Sequence, residues 1–369
     1  MRIAHVMWQL GIGGAERALF QLVREQRAHG IDADIVVGRD GGYYNDLARS
    51  IGAQVHSLGQ SRALDFSVAS HFRDIVGRYD AVHFHSAEVG LFHMVAGIPG
   101  LRRYYTHRSG VFDYGLQQRI RYSIAGFQIR HHFHGVSGNT DQACVAASRL
   151  FGLERDRIPT TYNGIDFSML EPIRSRRDVM QELGERKEDR VIVGTSAKLR
   201  PWKRIHLLVE GFARADDPRL ELCIVGDGPL RSDLAEQARS LGVADRVYFV
   251  GLKEHVGDYL QIMDIFVLPS GKEESFGNSV VEAMGMGITS GVFRDGGGMV
   301  EHIEDGLTGF IVDDIPDLAR ALRRMASDPE GRRAIGARAR ERMRSKYSLQ
   351  GIVQRYEQLY GAMEAEERR

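Results

Sequence analysis

Two glutamates eight residues apart, Glu274 and Glu282 in "ESFGNSVVE", bracket what reads as the start of a helix. "IFVLPS" ahead of them reads as a strand, "GKEESF" as a loop, and "GNSVVEAMGMG" as a helix whose first turn holds Gly277, Asn278 and Ser279. The free backbone N–H groups of such a turn, with the positive end of the helix dipole, form an anion site. Glycine at 277 lets a phosphate come close to the backbone. At the rise of a helix the two carboxylates can lie about 12 Å apart. That is too wide for a carboxylate pair acting across one glycosidic bond. It suits two hydrogen-bond acceptors at different places along an elongated, hydroxyl-rich ligand with a diphosphate between them. Spacing alone serves equally well for an unrelated loop glutamate and helix-face glutamate.

Upstream, "SAKLRPWKR" puts Lys198 and Lys203 at a strand-to-helix turn, on the face where the helix beginning near Gly277 should also open. Two ammonium groups beside a helix N-terminus would neutralise a departing diphosphate without a metal. Near the N-terminus "GIGGAER" is another glycine turn entering a helix, with Gly11, Gly13 and Gly14, but it lacks the G-x-G-x-x-G spacing of a dinucleotide fingerprint. Eleven of the 14 histidines precede Asn163. His83 and His85 alternate on a strand, and "HHFH" precedes another. No acidic or cysteine complement at ligand spacing accompanies them, so no metal is expected. His107, at a strand end in "YYTHRSG", is the histidine best placed for chemistry.

These residues need a scaffold, and the chain's 369 residues favour two domains. Short apolar strands alternate with longer amphipathic segments throughout, the pattern of parallel sheets covered by helices on both faces. A first doubly wound unit runs to residue 166, a charged stretch at 167–190 reads as a connector, and a second unit covers 191–350. Ligands of such sheets bind beyond the carboxyl ends of the strands at topological switch points, and the cleft between two facing domains is the expected site.

Composition is that of an ordinary globular protein, 43% hydrophobic and 27% charged, with formal net charge zero; nothing argues for a nucleic-acid partner. Cys144 and Cys223 have no metal-ligand spacing and read as small core residues. There is no signal-peptide pattern and no apolar run of membrane-spanning length, so a cytoplasmic location is expected. "LQQRIRYSIAGFQIRHHFHG" has basic and apolar faces that could touch an anionic membrane surface. A domain helix leading into the next strand is the favoured reading, so peripheral membrane contact is allowed but not favoured.

Taken in order, "GGAE" (13–16), "YNGID" (162–166), "GDGP" (226–229), "ESFGNSVVE" (274–282) and "GGMVE" (297–301) resemble the large glycosyltransferase family 4 (GT4), nearly end to end. The resemblance implies a GT-B fold, two Rossmann-like α/β domains facing across a cleft. It implies retaining, metal-independent transfer of a sugar from a nucleotide diphosphate to a hydroxyl, with no cofactor. A UDP-sugar is the first expectation for the donor and a GDP-sugar the second. The acceptor is expected among carbohydrates, lipid-linked oligosaccharides or small molecules, in polysaccharide, glycolipid or natural-product biosynthesis. Glu282 would accept from the ribose hydroxyls and Glu274 would contact the transferred sugar. Phe276, Gly277, Asn278 and Ser279 would hold sugar or diphosphate, and Lys198 and Lys203 would stabilise the departing phosphate. Gly13 and Gly14 would approach the diphosphate or acceptor, His107 would reach the sugar, and the base would sit near Gly251 and Leu252. The family also implies a C-terminal helix, about 351–369, packed on the first domain. Two positions depart from the family's pattern: Lys198 stands where arginine is usual, and Thr289 where proline is usual. The alternatives are a sugar-nucleotide epimerase on the same architecture and a non-catalytic sugar-nucleotide-binding protein.

Overall fold

The structure is a computed structural model that describes residues 1–60, 62, 65–184 and 190–366. Part of the expected connector, 185–189, and the last three residues of the expected closing helix lie outside the described residues. Two compact units are present, Met1–Gly164 with Tyr347–Arg369, and Ile165–Lys346.

The first unit contains strands β1 (Arg2–Met7), β2 (Asp32–Val37), β3 (Val55–Ser57), β4 (Ala81–Phe84), β5 (Arg102–His107) and β6 (Gly135–Gly138). They form one parallel sheet in the order β3-β2-β1-β4-β5-β6. Its helices are α1 (Gly14–Ala28), α2 (Tyr43–Ser50), α3 (Ala69–Val76), α4 (Val89–Val95), α5 (Leu116–His132) and α6 (Asp141–Phe151). The second unit contains β7 (Val191–Ser196), β8 (Leu220–Val225), β9 (Val247–Gly251), β10 (Ile265–Leu268), β11 (Thr289–Phe293) and β12 (Phe310–Val312). Their order is β12-β11-β10-β7-β8-β9, again parallel. Its helices are α7 (Arg176–Glu182), α8 (Ile205–Ala215), α9 (Arg231–Ser240), α10 (Gly257–Leu260), α11 (Asn278–Gly285), α12 (Ile315–Ser327) and α13 (Pro329–Lys346). Helix α14 (Leu349–Glu366) closes the chain.

The central strands read as apolar runs because both faces are covered; every residue of β8 and β10 is buried. In each sheet the winding reverses once. Strands β1 and β4 flank the reversal in the first unit and β7 and β10 in the second, which marks the loops after those strands as the places for a ligand.

Helix α14 packs on the first unit. Ile352, Val353, Tyr356, Leu359 and Tyr360 share a buried cluster with Ile3, Ala81 and Tyr104. The segment 167–184, expected to belong to a connector, is folded into the second unit instead. Its Phe167 ring fills the space a side chain on Gly285 would need. Asp258 accepts from the N–H groups of Ile173 and Arg174 at 2.8 and 3.0 Å, and Tyr259 donates to Glu182 at 2.7 Å. Two of the charges in this stretch are ion-paired, Arg174 with Glu182, and Glu182 is also held by Lys253.

Close packing also accounts for some of the glycines that follow the two glutamates. A side chain on Gly291 would strike the Phe310 ring, just as one on Gly285 would strike Phe167. At Thr289, where the family usually carries proline, the hydroxyl donates to the Arg332 carbonyl at 2.6 Å, tying the start of β11 to α13. Cys144 and Cys223 are both buried and stand outside any disulfide.

Candidate active site

The second unit draws Lys198, Lys203 and Glu274 from the loops after β7 and β10, the two strands at the reversal. The loop after β7 carries Lys198, Lys203 and Arg204. Leu199 N–H donates to the Asp227 carbonyl, and Gly226 and Gly228 lie so close to Ala197 and Leu199 that any side chain there would collide with backbone. The "GDGP" turn after β8 is thus a backing plate for the lysine loop. Lys198 projects outward, exposed and without a carboxylate partner among the described residues.

Lys203 turns the other way and forms an ion pair with Glu274. The two side chains keep only 18% and 16% of their exposure, so the pair is mostly screened from water. Backbone bonds fix the carboxylate end of the pair: Glu274 N–H donates to Gly271 O, and Gly298 N–H donates to Glu274 O, both at 3.0 Å.

Gly277 caps α11 in the left-handed conformation, φ +71°. A β-carbon there would sit 2.5 Å from Met299 Cγ and 3.6 Å from Glu274 Cγ. Glycine is therefore required by both conformation and space. The same contacts place the glutamate against the first turn of α11, where backbone N–H groups and helix dipole favour negative charge.

Phe276 is buried, so its ring serves the core and only its backbone is available to a ligand. Asn278 is buried and Ser279 half-buried. Glu282, 3% exposed, lies in the middle of α11 rather than at its open end. Gly251 ends β9 with φ +77°, its carbonyl accepting from Gly226 N–H at 2.8 Å, and Leu252 beside it is exposed.

Two supporting residues were not expected from the sequence. His302 is fully buried, and its Nε2 lies 2.7 Å from the Phe276 carbonyl, which fixes that nitrogen as the donor. Burial lowers its pKa to about 3, so the ring is neutral and holds the peptide before Gly277 as a plain hydrogen-bond donor. Arg204 donates to the carbonyls of Pro269 and Ser270 and, with both terminal nitrogens, to Asp295. It clamps the end of β10 to the turn after β11. Its hydrogen bonds hold the Asp295 carboxyl below the usual carboxylate range. The histidine lay one residue past "GGMVE" and the arginine at the end of "SAKLRPWKR", the only signals for either.

In the first unit Gly13 and Gly14 lie where β1 gives way to α1, and His107 ends β5. His107 is 1% exposed, with Nδ1 2.9 Å from the Tyr105 hydroxyl. Its Nε2 is buried with no hydrogen-bond partner. Burial lowers the ring's pKa to about 4.

Behind it lies a cluster absent from the expected chemistry. His5, His83 and His85 bring one ring nitrogen each within 4.8 Å of one another. All six ring nitrogens are already bonded, and the protons on His5 and His85 can be assigned. Arg108 Nε must donate to His85 Nδ1, so His85 Nε2 donates to His5 Nδ1, and His5 Nε2 donates to Gln26 Oε1. His83 bonds the Tyr360 hydroxyl and Thr106. Arg108 also donates to Asn163 of "YNGID" and to the Tyr356 hydroxyl on α14. A cation among these rings would face a guanidinium 3.1 Å from the nearest of them, so the donor set fits a hydrogen-bond relay and not a metal.

Comparison with known proteins matches this layout. The family described as Glycosyltransferase Family 4 matches residues 12–168, and the one described as Glycosyl transferases group 1 matches 176–342. N-acetyl-alpha-D-glucosaminyl L-malate synthase of Bacillus anthracis is 32% identical over 209 residues, 55% of this chain and 53% of that protein. D-inositol 3-phosphate glycosyltransferase of Kribbella flavida is 27% identical over 289 residues, 72% of this chain and 67% of that protein. The match thus spans about half the length of the first relative and two thirds of the second. Anabaena HepE, solved in complex with UDP, superposes with a TM-score of 0.87 at 20% identity, covering 98% of this chain and 100% of that one. Two consecutive family matches across both units, on a GT-B architecture, make this chain a member of the group 1 glycosyltransferases of family 4.

Proposed function

We propose that the protein transfers a sugar from a UDP-sugar to a hydroxyl of a growing glycan or glycoconjugate, with retention at the anomeric carbon and without a metal ion. The observation that carries this reading is the Lys203–Glu274 pair, set against the first turn of α11 in the loops flanking the sheet reversal. A diphosphate at that turn would meet backbone N–H groups, the helix dipole and two ammonium groups, Lys203 and Lys198. These supply by fixed charge what a divalent cation would otherwise supply. The nucleotide is supported by HepE, a protein of the same fold solved with UDP and with UDP-glucose.

In the proposed step the bond from the anomeric carbon to the β-phosphate oxygen breaks as the acceptor oxygen forms its bond on the same face. The acceptor's proton passes to a phosphate oxygen, so no protein base is needed. Glu274, buttressed by Lys203, accepts from hydroxyls of the transferred sugar, and Glu282 accepts from the ribose. Gly251 and Leu252 border the base, and Gly13 and Gly14 bring backbone to the diphosphate or acceptor. His107 bonds the Tyr105 hydroxyl through Nδ1, which leaves its buried Nε2 to bond a hydroxyl of the sugar. A buried, unpartnered ring nitrogen is a group that a ligand hydroxyl would satisfy.

The test is thermal-shift titration with UDP, GDP, ADP and TDP, followed by transfer assays with UDP-sugars. UDP should stabilise most, because a ligand that binds only the folded state stabilises it by mass action. Stabilisation by GDP alone would overturn the choice of donor.

A further inference from the structure

Helix α5 leaves an apolar stripe uncovered. Its inner face belongs to the first unit's core: Ala125 and Ile129 are buried there, and Gly126 lies so close to Phe151 that a side chain could not fit. The reading of this segment as a domain helix therefore holds, but it accounts for only half of the surface. Leu116, Ile120, Ile124 and Phe127 are exposed by 75, 53, 49 and 55%. At about 100° per residue these four side chains fall within roughly 80° of the helix circumference. They form one continuous stripe, which is unlike the scattered apolar residues of an ordinary surface.

The charged residues of the helix itself have one sign, and of its arginines only Arg121 lies near a carboxylate among the described residues, 3.9 Å from Glu88. Residues 116–132 include Arg119, Arg121 and Arg130 and no aspartate or glutamate. Arg119 and Arg130 border one side of the stripe. Both bond backbone carbonyls, of Tyr114 and Phe151, and neither has a carboxylate partner among the described residues. His131 packs beside Phe127, the two rings tilted to one another with centroids 4.5 Å apart.

We infer that this face of α5 docks on an anionic lipid bilayer, lying in the plane of the headgroups. The helix is not long and apolar enough to cross a membrane, and no other described helix is. An apolar strip edged by unpaired arginines instead matches the boundary between acyl chains and anionic headgroups. A second copy of the chain is a poorer occupant, because a two-fold contact would set the same unpaired arginines against each other. The inference stands on α5 alone and does not depend on the glycosyl-transfer reading.

Flotation of the full chain with vesicles tests it. Vesicles of equal parts phosphatidylglycerol and phosphatidylcholine should carry the protein, phosphatidylcholine vesicles should not, and high salt should release it. The double variant Ile120→Ser, Phe127→Ser should weaken partition at least about tenfold. Arg119→Gln should weaken it about fivefold. Unchanged melting temperatures and circular dichroism spectra would show both variants to be folded. Failure of the folded wild type to float with anionic vesicles would overturn the inference. So would undiminished flotation of the double variant, or a dimer in sedimentation that the double variant abolishes.

Discussion

Lys203 and Glu274 form an ion pair across the loops that follow β7 and β10, the two strands at which the second sheet reverses its winding. Neither charge is fully buried, so each keeps an open side for a ligand while the other holds it in place. The pair joins the two proposed roles: a carboxylate for sugar hydroxyls and an ammonium for the departing phosphate. Changing either to alanine strands its partner. Lys203→Ala and Glu274→Ala should each lower transfer on the order of 10²–10³-fold while the protein stays folded. Initial rates and circular dichroism of the two variants check this, and near-wild-type rates in both would contradict it.

Gly277 is the backbone counterpart of that pair. Gly277→Ala meets both a positive φ and the Met299 side chain, and should destabilise the second unit by about 1–3 kcal/mol. Met299→Ala in the same chain should recover only the steric part, because the conformational cost remains. Urea denaturation of the single and double variants separates the two contributions.

Lys198 offers a contrast. It is exposed and without a carboxylate partner among the described residues, and arginine is usual at this position in the family's pattern. Lys198→Arg should retain transfer, since only charge at an open position is required, whereas Lys198→Ala should lower kcat/KM by about 10–100-fold. A Lys198→Ala enzyme with unchanged kcat/KM would remove this residue from the phosphate site.

The buried histidines give stability a defined pH dependence. Burial lowers the pKa of His5 and His107 to about 4 and of His302 to about 3, and it holds His83 and His85 well below the usual value. All five are neutral in the fold, while an unfolded chain takes up protons on them as pH falls below about 6.5. Stability should therefore be full above that pH and fall through the window down to about 4. Each ring contributes up to about 1.4 kcal/mol per pH unit there. Melting temperatures recorded across this range check the slope. His302→Gln, which keeps a donor for Phe276 O, should flatten it by about one proton; an equal slope would contradict the assignment.

Much of this architecture was readable from residues close together in sequence. The alternation of apolar runs with amphipathic segments specifies the two doubly wound sheets. "SAKLRPWKR" holds its functional groups within one strand-to-helix turn and "ESFGNSVVE" within one turn and the helix it opens, so local pattern reveals them. The Arg108–His85–His5–Gln26 relay joins four elements, β1, α1 and the ends of β4 and β5, and no periodicity in one segment reports on strand order. His302 acts on a carbonyl 26 residues away. Helix α5 shows a different limit: its sequence is apolar on more than one side, and only packing against Phe151 decides which side faces out.

Retention of the anomeric configuration, at a metal-free site built on the Lys203–Glu274 pair, is the defining feature of the proposed reaction. The most direct test follows slow hydrolysis of an α-linked UDP-sugar by proton NMR, in the presence of EDTA and before the free sugar mutarotates. The α-anomer should appear first, at a rate that EDTA leaves unchanged and Glu274→Ala abolishes. First appearance of the β-anomer, or loss of turnover with EDTA, would contradict it.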